Sequence, residues 1–201
     1  VDGLLELLQT QWRDEDLKFA IDLCDALLAH FEDKQQGGFY FTDNKHEKLF
    51  HRPKPLMDEA IPSGNGIAAL VLARMGHLLG NMDYIKASER TLHFAWPAIQ
   101  QVPYANCSLL SALEEYLYPP QIIVVRTADD AQAWHEQCHQ HYAPRRMSFV
   151  IANTTENLPG LLAERKPQQQ TAAYVCEGSQ CRPSINSLDQ FASYLNTTTV
   201  N

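Results

Sequence analysis

The densest group of chemically capable side chains lies between residues 52 and 66. Arg52 and Lys54 supply cations, Asp58 supplies a carboxylate, and Ser63 and Asn65 supply a hydroxyl and an amide. Such groups can hydrogen-bond a polyol, and a carboxylate such as Asp58 can act as a general acid or base. A structural interpretation stays open, in which Ser63 or Asn65 caps the next helix and Arg52 pairs with Asp58 to hold the loop.

A second pattern with chemical meaning, His-Glu-x-x-His, runs from His135 to His139. On a helix, positions i and i+4 share one face, which is how two imidazoles and a glutamate form a zinc hydrolase site. The same helix must bury Trp134 and Cys138, which places both histidines at the edges of the apolar stripe. No third ligand follows at the spacing that such enzymes use. We therefore assign no metal site here and favour adventitious binding of zinc or nickel by His135, His139 and His141, with a zinc hydrolase centred on His135 as the weaker alternative.

The cysteines include one close pair, Cys176 and Cys181, with four residues between them. Redox pairs usually have two intervening residues, so this spacing permits a disulfide in a tight loop without requiring one. We favour the interpretation in which Cys176 ends a buried strand and Cys181 lies in the following turn, because free cysteine behaves as a small apolar residue. The small and odd number of cysteines indicates a reducing compartment, and we expect a cytoplasmic location.

Helices must position the 52–66 segment, because residues 1–118 carry apolar side chains at helical spacing. Five helices are predicted, near residues 4–8, 14–31, 67–79, 83–99 and 106–117. Tight turns join some of them, whereas the connection that holds the polar segment is far longer, and long structured loops often carry function. In this connection, residues 37–42 and 48–52 have the pattern of two short strands, which predicts a β-hairpin loop at 37–52.

The pattern changes after residue 118. A continuous apolar run at 121–126 predicts a strand buried on both faces, and residues 147–152 and 171–176 are predicted as a second and a third strand. Helical patterns between and after these runs predict a small three-stranded, largely parallel α/β unit over residues 119–201. The first strand is followed by no glycine-rich loop, so we expect no dinucleotide or other cofactor.

The chain has 201 residues, a formal net charge of −8 and 45 % apolar residues. This is the composition of a globular protein, and its negative charge argues against nucleic acid or an anionic membrane surface as a partner. The apolar runs are too short to span a bilayer, and no secretory signal pattern is visible. The chain begins with Val1 and continues at once into a helical pattern, so we expect it to be part of a longer protein.

Several of these motifs together resemble a known family. The resemblance is to the spermatogenesis-associated protein 20-like family, also called thioredoxin-domain-containing proteins, and it is carried by Gly37-Gly38-Phe39-Tyr40-Phe41-Thr42, Arg52-Pro53-Lys54, Asp58, Pro62-Ser63-Gly64-Asn65 and the segment from Ala173 to Pro183. It covers nearly the whole chain and keeps the order of the parts. It implies a full-length protein with an N-terminal thioredoxin-like domain, followed by an α/α toroid similar to six-hairpin glycosidases and N-acylglucosamine 2-epimerases.

By this resemblance, the fold is mainly α with a smaller α/β part, and residues 1–118 form part of an (α/α)6 toroid. The family has no firmly assigned activity, but the two enzyme classes imply a domain that binds or acts on a small carbohydrate. Asp58 and either His51 or His46 are then the catalytic candidates, and the candidate substrate-binding residues are Arg52, Lys54, Ser63 and Asn65. A glycosidase needs a second carboxylate across the sugar, which this segment does not supply, so we expect no activity from this chain alone.

The alternative is a non-catalytic interaction module that serves the thioredoxin-like domain. A sugar site predicts aromatic and acidic residues that converge with Asp58 in a polar cleft, whereas an interaction module predicts an exposed apolar face. Half a toroid leaves helix faces without neighbours. We therefore also expect this chain to self-associate or to rearrange those helices.

Overall fold

The computed structural model describes residues 1–45, 47, 50–128, 130–178 and 180–197. Within them the chain is mainly helical with a small mixed sheet, which confirms the predicted mainly α fold with a smaller α/β part. The α-helices are α1 (Asp2–Thr10), α2 (Asp14–His30), α3 (Gly64–Leu79), α4 (Met82–Gln101), α5 (Cys107–Leu117), α6 (Ala131–His139) and α7 (Leu188–Thr197). The strands are β1 (Gln121–Thr127), β2 (Arg146–Ala152), β3 (Ala172–Glu177) and β4 (Gln180–Cys181), and short 3-10 turns lie at Pro103–Ala105 and Gly160–Glu164. The partial toroid stays a prediction.

Local chemistry fixes both ends of helix α3. Ser63 is its N-cap, and the Ser63 Oγ accepts a hydrogen bond from the Gly66 amide at 3.0 Å. Gly80 ends the helix at a φ of 69°, a left-handed conformation that glycine adopts without a Cβ penalty. The helix predicted after the polar segment is therefore confirmed, and of the two cap candidates Ser63 is the one that acts.

Helix α3 lies at the centre of the helical part, and its side chains are buried on nearly all sides. It packs against α4 so closely that a Cβ at Gly76 would lie 2.5 Å from the Ile85 Cγ1. It is tied to α5 by Arg74, whose Nε lies 3.0 Å from both carboxylate oxygens of Glu115. A helix that is apolar around most of its circumference belongs in a core, so α3 is the element around which the others are arranged.

The sheet has four described strands in the order β2-β1-β3-β4. Strand β1 pairs with β2 in parallel, with Val124 opposite Phe149, and with β3 in the antiparallel direction, with Val124 opposite Tyr174. The three predicted strands are present and the β1–β2 pair is parallel, but the sheet has a fourth strand and β3 runs antiparallel to β1, so the predicted largely parallel, three-stranded arrangement is wrong. The apolar run at 121–126 indicated burial of β1 on both faces correctly, but the direction of a strand depends on the path of its connections, which such runs do not encode.

One apolar core joins the helices to the sheet. Buried side chains of α1, α2 and α3 share one core with Ile122 and Phe149 of the sheet, whereas Trp134 of α6 and Phe191 of α7 share a second core with Ile123 and Val125. The predicted boundary after residue 118 follows a change in chain pattern, and the core extends across it. No helix in the described part of the chain has the length and apolar character that a bilayer span requires.

Residues 37–42 form no regular strand, so the predicted first half of a β-hairpin is wrong. Gly37 and Gly38 have φ values of 84° and 78°, which lie outside the strand region. The predicted second half, 48–52, lies partly outside the described residues. The described loop has one isolated antiparallel bridge, between Glu32 and Phe39, and no continuous ladder. Further backbone hydrogen bonds hold it, such as those from the Phe41 amide to the Pro53 carbonyl and from the Asn44 amide to the His30 carbonyl, both at 2.9 Å.

Candidate functional site

A buried ion pair lies at the base of the long loop. The Lys54 Nζ is 2.8 Å from the Asp33 Oδ2, and both side chains are only 9 % exposed. The same Nζ donates to the Gly37 carbonyl at 2.9 Å and lies 3.8 Å from the centre of the Phe94 ring. A buried cation needs such partners, because removal from water destabilises its charged form. Lys54, predicted to bind substrate, is therefore committed to contacts within the protein.

The Asp33 carboxylate is the acceptor that organises this end of the loop. Besides Lys54, its donors are the amides of Gln35 and Gln36, each at 3.1 Å, and the Tyr40 hydroxyl at 2.9 Å. Burial acts to raise the pKa of Asp33, but these hydrogen bonds outweigh burial and hold the pKa well below its ordinary range. Sequence analysis missed Asp33. An aspartate just before a glycine-rich turn was the available signal, because such side chains cap the amides two and three residues on.

Arg52 also contacts the loop itself. Its Nη2 donates to the Thr42 carbonyl at 2.6 Å, and its guanidinium carbon lies 4.0 Å above the centre of the Tyr40 ring. In the described residues Arg52 thus bonds Thr42 and not Asp58, so the predicted Arg52–Asp58 pair is wrong. Arg52 therefore joins the later part of the loop to the earlier part, which contains Tyr40 and Thr42.

Asp58 fastens the loop to the start of α5. Its carboxylate accepts from the Ser63 amide at 2.7 Å, from the Ser108 amide at 2.8 Å and from the Ser108 hydroxyl. Burial acts to raise the pKa of Asp58, but the hydrogen bonds from Ser108 and from the Ser63 amide lower it more, so the net pKa lies below its ordinary value. The carboxylate is held ionised by donors of the protein, which is the arrangement of a loop anchor and not of a proton-donating acid.

Ser63 and Asn65 likewise have partners within the protein. The Ser63 hydroxyl lies 3.2 Å from that of Ser108 while it caps α3. Asn65 is 1 % exposed, and its Oδ1 accepts from the Phe39 amide at 2.7 Å while its Nδ2 donates to the carbonyls of Phe39 and Pro55 at 3.0 and 2.8 Å. The structure brings the predicted loop residues into one network, in which they support the backbone and do not offer free ligand groups.

His51 is exposed, and its side chain has no hydrogen-bond partner in the part of the chain that the structure describes. His46, the other histidine candidate, lies outside the described residues. An imidazole without a carboxylate or carbonyl to orient it lacks the support that a catalytic base normally has. The structure therefore does not join His51 and Asp58 into a catalytic pair.

A cleft of about 470 Å³ opens beside this network. Its lining is mainly apolar, and Phe41, Met57 and Ile61 are 74, 54 and 75 % exposed at its rim. The ring of Tyr40 and the exposed carboxylate of Glu59 complete it. Sequence analysis named Tyr40 and Phe41 only as parts of a motif, and it did not predict that any of these residues lines a cleft. The signal was the presence of large apolar side chains in a loop whose spacing fits neither a helix nor a strand.

The His-Glu-x-x-His segment on α6 contacts the first helix of the chain. The His135 Nε2 lies 3.2 Å from the Gln9 carbonyl oxygen, and the His139 Nδ1 lies 2.8 Å from the His135 carbonyl oxygen. The two imidazole rings stack at 4.3 Å between centres, and Glu136 accepts from Gln132 at 2.8 Å. Within the described ranges, no three His, Cys, Asp or Glu side chains are grouped so as to hold a metal ion.

Cys176 and Cys181 form a disulfide. The disulfide that the spacing left open is therefore present. Cys176 is buried near the end of β3, as expected, but Cys181 lies on β4 and not in the turn. The two cysteines are directly opposite in an antiparallel pair, and Gly178 at a φ of 56° makes the turn between them. The four-residue spacing is what such a hairpin requires, but spacing alone does not say which way the chain turns.

In its sequence, this chain is similar to proteins named spermatogenesis-associated protein 20, and no protein-family model matches it. The human protein of that name is 28 % identical over 195 residues, a match that covers 92 % of this chain and 25 % of the human protein. The rat and mouse proteins are each 26 % identical over 195 residues, with the same coverage. These similarities support the resemblance seen in the motifs. The chain spans about a quarter of the length of these relatives.

Proposed function

We propose that this chain is a carbohydrate-binding module within a longer protein that has a thioredoxin-like domain and a six-hairpin, 2-epimerase-like toroid. The observation that carries the binding role is the cleft beside the anchored loop, which combines exposed aromatic and aliphatic side chains with one carboxylate. We place the longer protein in the cytoplasm. The toroid and the thioredoxin-like domain rest on the family resemblance, and the binding role rests on the cleft.

The cleft has the size and chemistry for a small sugar. Its volume of about 470 Å³ lies within the range of small-molecule sites. The apolar C–H face of a pyranose packs on aromatic and aliphatic side chains such as Phe41 and Met57, and its hydroxyls donate to a carboxylate such as Glu59. The backbone below is held by the Asp33–Lys54 pair and by Asp58, so the cleft is formed before the ligand arrives.

Binding is proposed without chemistry at Asp58. A general acid must carry a proton at the working pH, whereas the Asp58 pKa is lowered and its carboxylate is occupied by Ser63 and Ser108. Glycoside hydrolysis also requires two carboxylates across the scissile bond. Glu59 is one exposed carboxylate of the cleft, and a second would have to come from elsewhere in the longer protein.

Removal of the Phe41 ring is expected to weaken sugar binding about tenfold, because loss of an aromatic contact of about 1–1.5 kcal/mol changes affinity by that factor. Saturation-transfer NMR against a panel of mono- and disaccharides identifies a binder, and isothermal titration then compares Phe41→Ala with the parent chain. Phe19→Ala is the matched control, because Phe19 is an exposed phenylalanine on α2 outside the cleft. Absence of binding by any sugar, or equal losses in both variants, contradicts the proposal.

A different observation favours the alternative of a non-catalytic interaction module. Apolar side chains are exposed along α4 and α5, where Trp96, Tyr116 and Leu117 are 46, 40 and 60 % exposed. Because the chain spans about a quarter of its relatives, this face suits contact with the remainder of a longer protein, such as its thioredoxin-like domain.

The isolated 201-residue chain is then expected to self-associate through this face. Light scattering should give a mass-average mass of about 1.5 times the monomer mass when the chain concentration equals a dimer dissociation constant of about 50 μM, and a mass that rises with concentration. Trp96→Gln should restore the monomer, and Met82→Gln, at an exposed apolar position at the start of α4, should not. A parent chain that stays monomeric would argue against the interaction module.

A further inference from the structure

The disulfide between Cys176 and Cys181 occupies an accessible place on the sheet. Cys176 is buried near the end of β3, whereas Cys181 on β4 is exposed. A cavity of about 200 Å³ lies on one side of the pair, lined in part by His77 and Leu161. A second cavity, of about 160 Å³, lies on the other side against Tyr194. A disulfide that has one exposed cysteine and borders two cavities differs from the sealed disulfides that staple a core.

A cation is aimed at both sulfurs. The Arg165 Nη2 donates to the Sγ of Cys176 at 3.0 Å and to the Sγ of Cys181 at 3.1 Å. Arg165 directly follows the 3-10 turn Gly160–Glu164, and in the described residues no carboxylate lies within ion-pair distance of it. A guanidinium placed in this way stabilises a thiolate that forms when the bond is broken, because an adjacent positive charge favours the ionised sulfur.

The other described cysteines show a contrasting environment. Burial raises the pKa of the Cys24 thiol to about 12 and that of the Cys138 thiol to about 11, so both thiols stay protonated at neutral pH. Cys107 is exposed and has no cationic side chain bonded to its sulfur, which donates to the Tyr104 carbonyl oxygen at 3.4 Å. Only the Cys176–Cys181 pair in the described chain combines access with a cation in contact with the sulfurs.

We propose that Cys176–Cys181 is a reversible thiol–disulfide exchange site that accepts two electrons from an external dithiol, with Arg165 as the residue that positions and stabilises the leaving thiolate. This site lies on the sheet, away from the 37–65 loop, and is independent of the proposed sugar cleft. It gives the chain a redox chemistry that the cleft does not have.

The exchange proceeds in two balanced steps. A thiolate of the dithiol attacks the exposed Sγ of Cys181, the Sγ–Sγ bond breaks, and its electron pair leaves on the Cys176 Sγ as a thiolate beside Arg165. The second thiol of the reductant then loses its proton and attacks the reductant sulfur that is bonded to Cys181, which releases Cys181 as a thiolate. The two cysteine thiolates take up, through solvent, the two protons that the reductant has lost. Two electrons and two protons pass in total, so the protein disulfide becomes a dithiol and the external dithiol becomes a disulfide.

The test is reduction of the native, full chain by dithiothreitol at pH 7, followed by alkylation and mass spectrometry, with circular dichroism recorded in parallel. We expect complete reduction of the pair at millimolar reductant without loss of the folded signal. Cys107, alkylated with or without reductant, serves as an internal standard for access. Reduction only in denaturant, or unfolding at the moment of reduction, would make the pair a structural staple and overturn the proposal.

Variants separate the role of Arg165 from general surface charge. Arg165→Gln is expected to slow reduction about three- to tenfold, since a less stabilised thiolate is a poorer leaving group. Arg165→Lys should restore most of the rate because it keeps the charge. Arg182→Gln, which removes a nearby cation bonded to neither sulfur and stacked 5.3 Å over the Tyr194 ring, is the matched control and should reduce at the parent rate. Equal rates for Arg165→Gln and the parent, or equal slowing in Arg182→Gln, would overturn the role of Arg165.

Discussion

Replacement of Lys54 with methionine is expected to lower the free energy of unfolding by about 3–5 kcal/mol, the usual cost of removing one partner of a buried ion pair. The variant leaves the Asp33 carboxylate buried without its counter-charge, and it removes the donor to the Gly37 carbonyl. Methionine has a similar length and an apolar stem, so the variant removes the ammonium group and keeps most of the packing of the side chain. Urea unfolding followed by circular dichroism measures the change.

A double variant distinguishes a stranded charge from a lost contact. Asp33→Asn combined with Lys54→Met should recover at least about 1 kcal/mol relative to Lys54→Met alone, because no buried charge is then unpaired. Lys18→Met, on an exposed position of α2, should change the free energy of unfolding by less than about 0.5 kcal/mol. If the Lys54→Met chain is as stable as the parent chain, the ion pair with Asp33 does not anchor the loop. Ligand binding would then be the better explanation for Lys54.

Asp58→Asn is expected to cost about 2–4 kcal/mol, because each hydrogen bond to a charged acceptor contributes about 1.5–3 kcal/mol and asparagine keeps only part of this set. The asparagine Oδ1 can accept, but its Nδ2 then faces an amide donor of Ser63 or Ser108. Glu59→Gln is the matched control, because it neutralises the adjacent exposed carboxylate and should be nearly silent. A catalytic acid without a structural role predicts the opposite, an Asp58→Asn chain of unchanged stability.

The direction of the Asp58 pKa shift can be checked from the difference in unfolding free energy between the parent chain and Asp58→Asn, measured as a function of pH. The folded-state pKa lies below the ordinary value of 3.8, so the unfolded chain binds more protons than the folded chain as the pH falls. The stabilisation by Asp58 is complete above the unfolded-state pKa and is lost as the pH falls through the folded-state pKa. The difference between the parent and Asp58→Asn should therefore be constant near neutral pH and shrink below pH of about 4. A difference that is the same at pH 7 and at pH 2 would refute this assignment.

The helices were predictable from the sequence because their signals are local. The apolar periodicity of α3, the Ser63 cap and the Gly80 stop all act within a few residues of the helix ends. The number and direction of the strands were not predictable, since β3 pairs with β1 across a connection of some length and apolar runs look alike in either direction. The disulfide was not predictable for a similar reason, because Cys181 lies opposite Cys176 only once the chain turns back at Gly178.

The candidate site was predictable as a cluster but not in its role. Lys54, Asp58, Ser63 and Asn65 do come together, yet polar groups that could face a ligand face the backbone instead. Residue types alone cannot distinguish polar groups that bind a ligand from polar groups that support the backbone, because their hydrogen-bond partners lie on distant segments of the chain. Gly37 shows the same limit: a Cβ there would lie 2.3 Å from the Arg90 carbonyl oxygen, a contact that no local pattern reveals.

Neither the helical part nor the sheet of this chain could be transplanted alone. The side chains of α1, α2 and α3 cover Ile122 and Phe149 on the sheet, so a cut after residue 118 would expose both sides of one core to water. Recombination at that point would separate two pieces that are each left with a large uncovered apolar face. The helices and the sheet are therefore expected to be inherited, and to be engineered, as one indivisible block.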